Sequence, residues 1–237
     1  GGSNILYFKK SLSEIASELK MSEHDLQGRL ESARRKLFAV REKRPHPHKD
    51  DKILTDWNGL MIVALAKGSR VFGEPRYGEA AKRASDFILK HLRKPDGRLL
   101  HRYREGEAGI TANVDDYAFL IWGLIELYET IFDPKYLKTA LELNEHMLRH
   151  FWDEGSGGLF FIPDDGEDLI VRKKEINDGA IPSGNSVAML NLLQLARITG
   201  NSGLEESAVK IGRVFSKAVK EYPIAFTQLM VSVDFGV

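Results

Sequence analysis

Hydrophobic and polar positions along the chain indicate two kinds of helix. Residues 60–65 and 119–125 are apolar on nearly every side, and a helix of that kind is buried among others. Each is followed by a short turn and then by an amphipathic stretch; in residues 80–92, for example, the apolar positions recur at helical spacing. The pattern therefore predicts pairs of helices, with an enclosed inner helix and an outer helix that keeps one face in water.

These helix pairs are internal repeats. The segment DWNGLMIVALAKGSRVFGEPRY, from Asp56, aligns with DYAFLIWGLIELYETIFDPKY, from Asp116, after a one-residue deletion, and a weaker third copy starts at Gly184. We predict one domain over residues 1–237 that is a fragment of a longer chain. It would contain leading helices in 1–44, three helix-pair repeats in 45–221 and the start of a further inner helix in 222–237. Such stacked pairs predict an all-α fold, an α/α toroid.

Short hairpin loops join the predicted pairs. Turn-rich residues at 94–97 and 153–158 lead into β-like stretches at 98–103 and 159–162, and the second stretch would pair with 169–171. Every such loop enters an inner helix at its N-terminus. We therefore expect the N-termini of the inner helices to gather at one end of the fold.

Composition excludes several classes of function. Lys+Arg and Asp+Glu both total 34, so the zero net charge argues against a general nucleic-acid or anionic-membrane binder. The absence of cysteine excludes disulfides, thiolate metal sites and cysteine nucleophiles. No apolar run is long enough to cross a bilayer, and the first residues do not have the pattern of a signal peptide. We expect a cytoplasmic protein with no nucleic-acid or membrane partner.

The polar segments that precede the apolar helices are the candidate site, because polar groups beside apolar walls are typical of small-molecule sites. Four residues there have side chains suited to acid or base chemistry. The catalytic candidates are Asp115, Asp116, Asp178 and His48. Further residues of the same segments could contact a substrate. The substrate-binding candidates are His46, Asp51, Lys52, Asp56, Trp57, Asn58, Tyr117, Glu175, Ser183 and Asn185.

Structural alternatives stay open for several of these residues. Asp56 and Asp116 occupy equivalent repeat positions, so helix capping alone could explain both. Trp57 and Tyr117 fit packing between inner helices better than sugar stacking.

The segment around His46 and His48 has its own alternatives. With Asp50 and Asp51 nearby, these histidines could bind a metal ion, but a solvated strap or a pair of acid/base groups fits better. We expect no metal and no cofactor. The remaining histidines discussed here are expected to be structural; they are His91, His146 and His150.

Three stretches carry a resemblance to a known family: RPHPHKDDKILTDWNGLMIVALA, NVDDYAFLIWGLIELYE and DGAIPSGNSVAMLNLLQLA. They resemble the YyaL-like, spermatogenesis-associated thioredoxin-like family. The resemblance implies a partial (α/α)6 toroid similar to N-acylglucosamine 2-epimerases and six-hairpin glycosidases. It also implies a thioredoxin-like domain elsewhere in the family's full-length proteins, which this chain does not contain.

Two functions follow as hypotheses. In the first, the toroid binds a sugar or sugar-like molecule at the inner-helix N-terminal end, with hydrolase or isomerase chemistry. In the second, it is a non-catalytic scaffold that works with the thioredoxin-like domain. Carboxylates that are desolvated favour an enzyme, and carboxylates engaged as caps favour a scaffold.

The chain's last predicted helix lacks an outer partner. We therefore expect partial exposure of its apolar residues and possible self-association through them. These residues are Phe226, Leu229, Met230, Val231 and Val233.

Overall fold

The computed structural model describes residues 7–166 and 170–237, and the chain divides after Asp50 into two compact units. The described part of the first unit contains α1 (Leu12–Glu18) and α2 (Glu23–Arg41). Ser11 caps α1 in a capping box with Glu14, as its sequence predicts. Ser22 caps α2 by accepting the N–H of Asp25.

The second unit alternates inner and outer helices. The inner helices α3, α5 and α7 each precede an outer helix, and α5 packs against α3, α6 and α7. The outer helices α4 and α6 have proline in the first turn, where no N–H is needed. The helices of this unit are α3 (Thr55–Phe72), α4 (Pro75–His91), α5 (Val114–Ile131), α6 (Pro134–Phe151), α7 (Gly184–Thr199), α8 (Ser202–Glu221) and α9 (Thr227–Gly236), with a 3-10 turn at Pro223–Ala225.

A small antiparallel sheet joins the first hairpin loop to the residues before α3. Its strands are β1 (Ile53–Leu54), β2 (Leu100–Arg104) and β3 (Glu107–Thr111), in the order β1-β2-β3. Ile53 pairs with Tyr103, so the residues just before α3 are tied to the hairpin that precedes α5. The sequence predicts the β2 region but not its pairing with β1, because such a pairing is set by tertiary contact.

The second predicted hairpin is wrong as far as its residues are described. Leu159 forms an isolated bridge with Trp152, and the N–H of Phe161 donates to the carbonyl of Lys173 at 2.8 Å. In the described residues of 159–171, no paired strands form, and Leu169 lies outside the described residues. The physical reason is that backbone N–H groups of this segment donate elsewhere: Phe160 and Asp164 donate to carbonyls at the end of α6, and Phe161 donates to the loop that follows.

Two glycines set the close approach of α3 and α5. A Cβ at Gly59 would lie 2.6 Å from the carbonyl carbon of Phe119, and one at Gly123 would lie 2.9 Å from Ile62 Cγ2. Neither position has room for a side chain, so the two backbones pack against each other directly. This contact brings the N-termini of α3 and α5 together.

The last helix is partly exposed. Met230, Val231 and Val233 are 42%, 52% and 38% exposed, which confirms the expectation for these three residues. Phe226 and Leu229 are buried against the core, so the expectation was wrong for them. Self-association through this helix stays a prediction. Among the described helices, none combines the length and apolarity that a bilayer crossing requires.

Candidate functional site

The inner-helix N-termini of the second unit meet at one end, which confirms the arrangement expected from the loops. The Asp56 N–H in α3 donates to Asp116 Oδ1 in α5 at 3.0 Å. The N–H of Gly184, the first residue of α7, donates to the Asp115 carboxylate. Asp178, which precedes α7, accepts the N–H of Gln228 in α9 at 2.9 Å. Side chains from different repeats are therefore in contact there.

Asp116 is the centre of this arrangement and is completely buried. Its Oδ2 accepts the Asn113 N–H at 2.9 Å, which closes a capping box at the start of α5. Both of its carboxylate oxygens also lie 3.0 Å from His101 Nδ1. Asp116 therefore caps its own helix, ties α3 to α5 and orients a histidine.

His101, on β2, is the site residue that the sequence analysis missed. Its hydrogen bond to Asp116 raises its pKa, as do the charges of Asp116 and Asp56, while burial and the charge of Lys52 oppose the shift. The available signal was its place within the β-like stretch 98–103, which leads toward α5. Sequence alone did not show which way the strand turns this side chain.

Two further carboxylates are desolvated beside this pair. Burial raises the pKa of Asp115 to about 7, and the negative charges of Asp116, Asp56 and Glu175 add to the effect, against the Gly184 N–H. Burial also raises the pKa of Asp56, with a further contribution from Asp116. Burial and mutual repulsion therefore favour the protonated form of these two carboxyl groups.

The same residues could be considered as metal ligands. Ligand atoms from Asp56, His101 and Asp116 all lie within 4.8 Å of one another. However, both oxygens of Asp116 already accept backbone N–H groups and face His101 Nδ1. An ion would have to break these bonds, so the geometry suits proton transfer better than metal binding.

A second such group lies at the end of α6. His150 Nδ1 is 2.9 Å from Asp164 Oδ1 and 3.3 Å from Asp165 Oδ2, and Asp165 is also paired with Arg98. This is a surface ion-pair cluster that fastens the 161–166 segment to α6. It fits the structural role expected for His150.

Several predicted site residues are structural in their contacts. Asp178 accepts N–H groups from Ser183, Gln228 and Leu229. Ser183 caps α7. Buried Asn185 bonds the backbone of Leu159 and the carbonyl of Glu175.

The two aromatic candidates differ from each other. Tyr117 is buried, accepts the Leu99 N–H at 2.9 Å through its hydroxyl and stacks on His146, so its ring packs against the outer helix α6. Burial raises its pKa to about 12. Trp57 is 62% exposed, so the expectation that it packs between inner helices was wrong. It lies in the first turn of α3.

The remaining candidates lie on loops and strands. Asn58 Nδ2 donates to the carbonyl of Leu54 at 2.8 Å, and Asp51 pairs with Arg104 at 2.8 Å. Lys52 is close enough to affect the pKa of His101, and Glu175 that of Asp115.

The two predicted site histidines belong to the first unit. There, His46 Nε2 lies 3.2 Å from the carbonyl of Glu42, and His48 is exposed. Their role in a ligand site stays a prediction.

Known proteins of similar sequence confirm the resemblance stated above. The chain is 33% identical to human spermatogenesis-associated protein 20 over 97% of its length, and 34% identical over 92% to an uncharacterized Caenorhabditis elegans protein. It spans only 30% and 31% of the length of these relatives. No protein-family model matches the chain.

Solved structures of similar fold are carbohydrate-active enzymes. A family 76 α-mannanase of Bacteroides thetaiotaomicron matches with a TM-score of 0.58 and 18% identity, over 72% of this chain and 47% of that one. Cellobiose 2-epimerase of Bacillus thermoamylovorans matches with a TM-score of 0.59 and 17% identity, over 72% and 46%. These matches confirm the α/α-toroid fold.

A third match is a solved structure with a sugar bound. It is an inactive variant of a Salegentibacter α-1,6-mannanase, in complex with α-1,6-mannotriose, in which two consecutive aspartates are replaced by asparagine. Its TM-score is 0.56 at 15% identity, over 74% of this chain and 49% of that one.

Proposed function

We propose that the chain binds a sugar or sugar-like molecule at the inner-helix N-terminal end and acts on it with hydrolase or isomerase chemistry. The observation that carries the proposal is Asp115, a partly exposed carboxyl whose pKa is raised to about 7 among other carboxylates. Such a group is populated as both acid and base at neutral pH, which general acid/base catalysis requires.

His101 supplies a second proton-transfer group. Its Nδ1–H donates to Asp116, an assignment that follows from the acceptor character of the carboxylate. Nε2 is then the ring nitrogen left to take or give a proton, and Asp116 fixes the tautomer and the ring orientation. In this scheme Asp115 donates a proton to an oxygen of the sugar. His101 Nε2 removes a proton from, or returns it to, a neighbouring atom of the same sugar.

The fold matches support this reading at the level of fold and residue type. In the mannanase variant, replacing two consecutive aspartates accompanies loss of activity. This chain has a consecutive pair, Asp115 and Asp116, at the start of an inner helix. They differ in exposure: Asp116 is fully buried, so Asp115 is the member of the pair that a ligand would touch.

The alternative is a non-catalytic scaffold that works with a thioredoxin-like domain in a longer protein. The observation that favours it is the complete engagement of Asp178 and Asn185 in ties between loops and helices. The two hypotheses differ in what they require of Asp115. An enzyme requires a group that gains and loses a proton near pH 7, and a scaffold does not.

The test is calorimetric titration of the chain with cellobiose, α-1,6-mannotriose, glucose and mannose, followed by NMR of the sugars for hydrolysis or epimerisation. We expect Asp115→Asn and His101→Asn to weaken binding by about tenfold or more and to abolish turnover. Turnover in the wild type should depend on pH with a transition near 7, because Asp115 titrates there.

The control is Asp86→Asn on the outer helix α4, where the carboxylate faces Tyr136 and Lys135. It should bind and turn over the sugars like the wild type. Flat titrations with every sugar would favour the scaffold.

A further inference from the structure

Over residues 114–127, helix α5 exposes only two side chains to solvent. In the stretch 114–127, all of which the structure describes, Asp115 and Trp122 keep partial exposure and the other residues are buried. They are seven residues apart, so they lie on the same face of the helix, about 10 Å apart along its axis. The residue proposed for acid catalysis and an aromatic ring thus share one face of α5.

Trp122 lines a groove of about 360 Å³. Its lining includes the apolar residues Leu60, Val63 and Ala64 of α3, residues 178–182, and Gln228 at the start of α9. Asp178 and Gln228 are polar residues of this lining. The volume and the mixture of apolar residues with a few polar groups are typical of a small-molecule site.

The indole of Trp122 is held in place by neighbouring side chains, and Lys67 Nζ lies over its ring, 5.9 Å from the centroid. Its Nε1–H donates to Glu126 Oε1 at 3.1 Å. Glu126 is buried and is itself held by Lys67, at 2.7 Å, and by Arg70, which also donates to the Glu126 carbonyl. Because its N–H is already used, the indole offers a ligand its flat ring and not a hydrogen bond.

We propose that Trp122 is the ring-stacking platform of an oligosaccharide subsite in this groove. The proposal rests on the function proposed above and names its substrate class, a disaccharide or longer sugar. A ring stacked on Trp122 lies about two helical turns from Asp115, which is farther than one sugar ring reaches. A longer sugar would contact the platform and the acid at once, whereas a monosaccharide would contact only one of them.

The test compares binding of α-1,6-mannotriose, cellobiose and mannose by calorimetry for Trp122→Ala, Trp122→Phe and the wild type. We expect Trp122→Ala to weaken binding of the two longer sugars by about tenfold. Trp122→Phe should retain most of the affinity, since it keeps an aromatic face. The affinity for mannose should change less than twofold.

A second pair of variants tests the positioning of the indole. Glu126→Gln removes the charge that Lys67 and Arg70 hold, so the indole should loosen and affinity for α-1,6-mannotriose should fall several-fold. Glu129→Gln is the matched control, because Glu129 also faces Arg70, at 3.5 Å, but is not the acceptor for the indole. It should bind as the wild type does.

Indole N–H resonances make the test independent of variant stability. In the wild type, adding α-1,6-mannotriose should shift the Trp122 resonance and leave that of Trp152, at the end of α6, in place. A stationary Trp122 resonance in the presence of bound sugar overturns the proposal.

Two outcomes distinguish failure of the Trp122 subsite from failure of the proposed sugar-binding function. Wild-type affinity in Trp122→Ala, together with weakened binding in Asp115→Asn, overturns the platform and leaves the acid/base site standing. Absence of binding by every sugar in the wild type overturns both.

Discussion

Two aspartates tie neighbouring inner helices together in different surroundings. Asp116 accepts the N–H of Asp56 and so joins α5 to α3, and Asp178 accepts the N–H of Gln228 and so joins the start of α7 to α9. Around Asp116 lie Asp56, Asp115 and His101, whereas Asp178 accepts backbone N–H groups. The difference shows that a capping aspartate becomes part of a proton-active cluster only when other titratable groups are buried with it.

The physical reason is the balance between carboxylates and donors. Helix N-termini supply N–H groups and a partial positive charge that stabilise a carboxylate. At Asp178, three backbone N–H groups donate to one carboxylate. At Asp116, two backbone N–H groups also donate to a single carboxylate, while burial and mutual repulsion raise the pKa of the neighbouring Asp115 and Asp56.

The largest expected loss of stability comes from replacing Asp116, which joins α3 to α5. Asp116→Ala leaves the N–H groups of Asn113 and Asp56 without their acceptor in a buried place and removes the partner of His101. We expect the free energy of unfolding to fall by about 4 kcal/mol. Urea denaturation followed by circular dichroism measures it, and Asp116→Asn, which keeps one acceptor oxygen, should lose less. An unchanged midpoint for Asp116→Ala would mean that the helices are held together without this residue.

A smaller loss is expected at the second tie. Asp178→Ala removes the acceptor of three backbone N–H groups, but the residue is partly exposed and water can replace it in part. We expect a loss of about 2 kcal/mol. Urea denaturation followed by circular dichroism measures this loss, and a loss as large as that of Asp116→Ala would show that water does not replace the carboxylate.

An effect of similar size but opposite sign, and the sharpest contrast between the two regions, is expected at Asp115. Its folded pKa of about 7 lies above the ordinary value of 3.8, so the folded chain holds more protons than the unfolded chain between these values. Stability therefore falls as pH rises from about 4 to 7, and the cost of the ionised form is complete above pH 7. Asp115→Asn keeps the acceptor for Gly184 and removes this cost.

We therefore expect Asp115→Asn to be more stable than the wild type at pH 8, by on the order of 2 kcal/mol after allowance for partial exposure, and to match it at pH 4. Thermal unfolding across this pH range measures the difference. Parallel stability curves for the variant and the wild type would show that Asp115 titrates normally. Asp86→Asn on α4 serves as the control, with no such convergence.

Much of the fold was predictable because the pattern is repeated. Continuous apolar stretches give α3 and α5, and the amphipathic stretch gives α4, since these patterns depend on neighbours in sequence. The second hairpin was predicted wrongly because its backbone N–H groups donate elsewhere, as Phe161 does to Lys173. The exposure of Trp57 was also missed, because it depends on which side of α3 is covered.

The candidate site was only partly predictable. Asp115 and Asp116 stand out as polar residues before an apolar helix, and the common end of the inner helices follows from the loops. His101 did not stand out, because its contact with Asp116 depends on the twist and pairing of β2 with β1 and β3. Trp122 read as one more apolar residue of α5, and its partial exposure in a groove depends on the neighbouring α3 and on residues 178–182.

The sequence by itself determined the helix pairs, their order and the place of the polar segments before the inner helices, since these depend on local periodicity and on turn residues. Only the tertiary structure decided that Asp116 serves as a cap and holds His101, whereas burial raises the pKa of Asp115. That division depends on distances between side chains of different repeats. The close backbone contact at Gly59 and Gly123, together with the pairing of β1 with β2, sets those distances.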